Sequence, residues 1–72
     1  MQRKYEVWVR VYDPINYKSY TTRMANRYDR KEQAEFVVFE IKRGTTIVIK
    51  TCEGKWVNRA DILDISIEVC YC

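Results

Sequence analysis

Seventy-two residues allow one domain, spanning 1–72, whose core is small and whose stability as a lone monomer is marginal, so self-association would help it. With 47% apolar and 32% charged residues, two Gly and one Pro, the chain has the composition of an ordered globular protein, and no stretch is apolar for long enough to make a membrane span or signal-peptide core. The net charge is +3 with no histidine, which removes the commonest general base, the commonest metal ligand and the simplest near-neutral switch.

The charge is uneven along the chain. Residues 1–31 carry eight Lys and Arg against Glu6, Asp13 and Asp29, whereas residues 32–72 carry five against seven acids. An anionic partner is therefore to be sought in the first half, although a small excess of this kind also suits an ordinary soluble surface. The three cysteines, Cys52, Cys70 and Cys72, are odd in number and follow no secretory signal, so free thiols in a reducing, cytoplasmic compartment are expected.

From Lys4 to Asp13 the sequence alternates, with Tyr5, Val7, Val9 and Val11 on one face and Glu6, Trp8, Arg10 and Tyr12 on the other. This predicts a strand. Asp13-Pro14-Ile15-Asn16 has type I turn chemistry, and a second strand is expected over Tyr17 to Met24. Setting Asp13 opposite Asn16 puts Tyr20, Thr22 and Met24 beside the valine face and Glu6 opposite Arg23, whereas a one-residue slip would set Arg23 among the valines.

The next segment, Arg30 to Arg43, has helical periodicity with two apolar faces. Ala34, Val37, Val38 and Ile41 share one arc, while Phe36 and Phe39 point the other way. Asp29 and Glu32 match a capping box and Gly44 stands at the left-handed C-cap position. Thr45 to Cys52, the turn Glu53-Gly54 and Lys55 to Asn58 then predict a second hairpin. After a polar break at Asn58 to Asp61, Leu63 to Cys72 alternates as a last strand. The fold expected is α+β, ββαβββ, with a mainly antiparallel five-stranded sheet and one helix packed on one face; strong twist could curl the sheet toward a partial barrel.

Three groups of residues are candidate sites. Trp8, Arg10, Tyr12 and Tyr17 with Lys18 interleave rings and cations on the first hairpin, a mixture that suits either bases or a protein partner, unless Trp8 is core. Arg23, Arg27, Arg30 and Lys31 gather near the helix start, where an anion is favoured but Asp29 competes for the same N–H groups. Phe36 and Phe39, with Glu32 and Arg43 beside them, form an oligomer interface or docking face.

Metal ligation and cofactor binding are not expected, since Cys70 and Cys72 with Cys52 lack a fourth ligand and neither glycine belongs to a phosphate loop. No nucleophile has a base in a recognisable spacing, so the chain is read as a non-enzyme. The function expected is that of a small homo-oligomeric binding protein. By size and composition it resembles the stoichiometric inhibitors that phages and mobile elements direct against a host or defence protein. The alternatives are a sequesterer of a nucleotide-type ligand at a subunit interface and a nucleic-acid-binding accessory protein.

Overall fold

A computed structural model describes residues 2–71. The elements run β1 (Arg3–Asp13), β2 (Lys18–Tyr28), α1 (Lys31–Arg43), β3 (Val48–Lys50), β4 (Trp56–Asn58), a 3-10 turn (Arg59–Asp61) and β5 (Ile62–Tyr71). The fold is α+β and the element order is the expected one. Cys72, expected in the last strand, lies outside the described residues.

β1 is the central strand, antiparallel to β2 on one side and β5 on the other, while β3 and β4 form a two-stranded sheet of their own. One bridge, Met24 to Thr51, joins the sheets, reinforced by the Cys52 N–H donating to the Arg23 carbonyl at 3.0 Å. The expected five-stranded sheet is thus three strands plus two. The cause is the shortness of β3. Thr45 and Thr46 donate their N–H groups to the Glu40 carbonyl at 3.2 and 3.4 Å and finish the helix, while Thr51 and Gly54 close the turn.

Strand lengths explain why the second hairpin folds where it does. Eleven residues of β1 extend about 36 Å, but the 13-residue helix covers only about 20 Å of that length. The rest needs another cover. Val9 and Val11 are buried together with Ile41 of the helix and Ile49 and Val57 of the second hairpin, and Met24, Val37, Ile62 and Ile65 pack around them. The hairpin therefore closes over the same face of β1 as the helix, as a separate two-stranded sheet. At the other end of β5, Val69 and Tyr71 stay exposed.

The helix buries Ala34 and Ile41, half-buries Val37 and Val38, and leaves Phe36 and Phe39 in solvent. Its N-cap is Arg30 rather than Asp29: the Arg30 N–H donates to the Gln33 side-chain oxygen at 3.2 Å, so Gln33, not Glu32, supplies the reciprocal bond. Asp29 is instead ion-paired with Lys4 of β1. Gly44, at φ 92°, is the left-handed C-cap, and its N–H reaches the Glu40 and Ile41 carbonyls. The last carbonyls gain a distant partner as well. Arg59 donates through Nε to the Ile41 carbonyl and through Nη2 to the Lys42 carbonyl at 2.9 Å, setting a positive charge on the negative end of the helix.

Register differs from expectation by two residues near the loop of the first hairpin and by four beyond an irregularity. Asp13 pairs with Lys18, Val9 with Thr22 and Trp8 with Arg23; beyond an irregularity, Glu6 pairs with Arg27 and Tyr5 with Tyr28. The expected partners, Asn16 for Asp13 and Arg23 for Glu6, are therefore displaced by two and four residues, and even shifts keep every side chain on its face. In β5 a single-residue bulge between the Arg10–Asp64 and Val11–Ile62 pairs puts Ile62 on the core and leaves Leu63 exposed, where unbroken alternation would have buried Leu63.

Arg59→Ala should lower stability by about 1–2 kcal/mol, through the lost hydrogen bonds and the lost charge at the helix end. Denaturant unfolding is expected to show an earlier midpoint at constant slope, and an unchanged midpoint would count against the clamp.

Candidate functional site

The outer face of the three-stranded sheet, opposite the helix, holds Glu6, Trp8, Arg10 and Tyr12 of β1, as the alternation implies. Its centre is an ion cluster. The irregularity in β2 leaves three residues between Arg23 and Arg27 where β1 has only Val7 between Trp8 and Glu6, and both arginines thereby reach one carboxylate. Arg27 Nε lies 2.7 Å and Arg23 Nε 3.5 Å from Glu6 Oε2, and Trp8 Nε1 donates to Oε1 at 3.2 Å.

Glu6 is only 6% exposed. Burial alone would raise its carboxyl pKa, but the hydrogen bonds from Arg27 and Trp8 and the charges of Arg27 and Arg23 overcome that penalty and hold it below the ordinary value. With both oxygens engaged, this carboxylate is a structural anion and poorly placed to take a proton from a ligand. Trp8 is half-buried and held by it. A shallow recess of about 150 Å³ lies on the face, lined by Trp8, Val9, Arg10, Thr21, Asp64 and Ser66.

The tip of the first hairpin is different. The Asp13 carboxylate accepts from the Ile15 N–H at 2.9 Å, the Asn16 N–H at 3.4 Å and the Asn16 side-chain amide at 2.8 Å. The Asn16 side-chain bond leads in holding the Asp13 pKa below its usual value, with the Ile15 N–H next. The four-residue loop that results ends in Tyr17 at φ 56°, a left-handed conformation that costs a non-glycine residue on the order of 1 kcal/mol. On this fixed loop Ile15 is 84% and Tyr17 82% exposed.

Behind the tip, Val11, Tyr12, Asp13, Pro14 and Tyr20 of the first hairpin line a groove of about 210 Å³ together with Trp56, Val57, Asn58 and Asp61. Trp56 is 68% exposed, with Lys50 Nζ 5.8 Å from its ring centre. The tip and groove together offer aliphatic and aromatic side chains on two hairpins.

The expected site residues are thus divided. Trp8 and Arg10 share the outer sheet face, Tyr12 borders the groove, Tyr17 stands on the tip, and Lys18 pairs with Asp13 at the start of β2. Of the four cations near the helix start, Arg23 and Arg27 contact Glu6, Arg30 is the N-cap and Lys31 opens the helix. Phe36 and Phe39 lie together on the exposed helix face, with the Arg43 guanidinium 5.8 Å from the Phe39 ring centre. Ile15, Tyr20 and Trp56 are additions. A large aliphatic residue inside a turn was the available signal for Ile15, whereas the other two depend on how the hairpins meet.

A further cavity of about 310 Å³ is lined by Ile41, Lys42, Arg59 and the start of β5, but its arginine is committed to the helix carbonyls. Among the described residues, no three His, Cys, Asp or Glu stand together as metal ligands, and no helix is long and apolar enough to cross a membrane. No protein-family model, curated protein or solved structure matches the chain.

Because the folded carboxyl of Glu6 titrates below its unfolded value, its contribution to stability is present above about pH 4–5 and lost as pH falls through the folded value. Asp13 adds to the same window with the same sign. Glu6→Gln should cost about 1–2 kcal/mol at pH 7, the partial exposure of the arginines keeping it below the cost of breaking a fully buried pair. Urea midpoints measured from pH 7 to pH 3 should fall less steeply in this variant than in wild type. Parallel curves would remove Glu6 from the acid response.

Proposed function

We propose that the chain is a small non-enzymatic binding protein that docks on another protein through the tip of its first hairpin and the adjoining aromatic groove, acting by occupancy as a stoichiometric inhibitor does. The observation that carries this reading is the fixed loop that displays Ile15 and Tyr17. A turn held in place by Asp13 presents anchors on a backbone whose ordering cost is already met before binding, and aromatic side chains with a nearby groove are what protein interfaces use as hot spots.

The alternatives have less support. Ligand pockets run from about 300 to 1,000 Å³, and the 310 Å³ cavity at the helix end lies at the bottom of that range with its arginine already engaged, so a sequesterer would need a second subunit to complete its site. For nucleic acid, the outer sheet face mixes Arg10, Arg23 and Arg27 with Glu6, Asp64 and Glu68, which is no continuous basic stripe.

Tyr17→Gly separates binding from folding. Glycine accepts a positive φ at no steric cost but gains freedom in the unfolded chain, so the two effects offset and stability should change by less than about 1 kcal/mol, while affinity for the partner should fall at least about tenfold. Affinity capture from lysate of the source cells, comparing wild type with an Ile15→Ser/Tyr17→Gly variant, should give a protein that wild type retains and the variant loses. The same protein should be held at about 50 and 200 mM salt. Equal retention by both forms, or recovery of nucleic acid whose binding collapses over that salt range, would sink the proposal.

A further inference from the structure

We infer that the outer face of α1 pairs with the same face of a second copy, the two helices running antiparallel about a two-fold axis at the level of Val37 and Val38. At about 100° per residue, Glu32, Phe36, Phe39 and Arg43 fall in an arc of about 60° directly opposite Ile41. Their spacing of four, three and four residues is that of a coiled-coil seam. All four are exposed, Phe36 at 63% and Phe39 at 56%.

The occupant follows from the order of charges along this stripe. Reversing a second copy about the stated axis sets Phe36 against Phe39 of the other chain and Glu32 against its Arg43, each contact made twice. One flank then brings Glu35 beside Lys42 of the other copy, again twice, and both residues are exposed. A parallel arrangement would instead oppose Glu32 to Glu32 and Arg43 to Arg43. The stripe is thus self-complementary in one orientation, the condition an isologous two-fold interface must meet.

Arg43 is free to make the exchange. Its contact with Glu40 is a long 3.8 Å, and its guanidinium already lies over Phe39 at the edge of the stripe. Three helical turns bury less than the roughly 1,600 Å² of a standard interface, so the expected dimer has a Kd of about 1–100 µM. This pairing is independent of docking by the hairpin tip.

Sedimentation equilibrium across about 1 µM to 1 mM tests it, with thermal melts to check that each variant is folded. Wild type should pass from monomer to dimer, and Phe36→Ser/Phe39→Ser should remain monomeric. Glu32→Arg or Arg43→Glu alone should weaken association about tenfold, and the Glu32→Arg/Arg43→Glu double variant should restore it to within about threefold. The Ile15→Ser/Tyr17→Gly protein should dimerise like wild type. A wild type monomeric at 1 mM, a dimer indifferent to the two phenylalanines, or a double charge swap that does not restore association would each overturn the pairing.

Discussion

The first hairpin is longer than the helix laid across it, and most of the architecture answers that mismatch. A strand of 11 residues outreaches a 13-residue helix by about 16 Å, and in so short a chain the only other cover is the second hairpin. Ile49 and Val57 therefore close over Val9 and Val11 beside Ile41. To do so β3 must leave the edge of β2 after a single bridge, which is why the sheet divides. The same closure brings Trp56 and Val57 up to the end of the first hairpin near Pro14 and Tyr20 and so builds the groove.

A second consequence lies on the opposite side of β1. The face away from the helix has no layer of its own, yet Glu6 is more deeply buried than most of the apolar residues of the chain. It is covered by its own partners: two arginines from the irregular part of β2 and the ring of Trp8. Desolvation is tolerated because each carboxylate oxygen has a donor. Two cations and an aromatic ring that would suggest a ligand site in the sequence are in this way engaged by the fold, while Ile15 and Tyr17 at the hairpin tip stay exposed.

The sequence is most legible where period and chemistry agree. Alternation identifies β1 and β5, the 3.6-residue period separates the faces of α1, and Gly44 marks its end. Register is less legible, because hairpin pairings that differ by two residues bury the same face. Choosing between them required the geometry of a four-residue loop, including a positive φ at Tyr17 that no glycine announces. The bulge at Leu63 and the clamp of Arg59 on the helix carbonyls are set by tertiary closure. Of the site, the exposed phenylalanines could be read from helical phase, whereas the groove could not, since it exists only between two hairpins separated by the helix.

β5 is an edge of the three-stranded sheet, with β1 on one side of it. Such an edge is a template for open-ended strand stacking, the geometry from which fibrils grow. Here the sequence of the edge works against growth. An antiparallel copy centred on Ser66 would oppose Asp64 to Glu68, and a parallel in-register copy would stack each carboxylate on its equivalent. The bulge at Leu63 further interrupts the regular ladder. Charge along this edge thus opposes strand-on-strand stacking in a chain that exposes many aromatic and aliphatic side chains elsewhere.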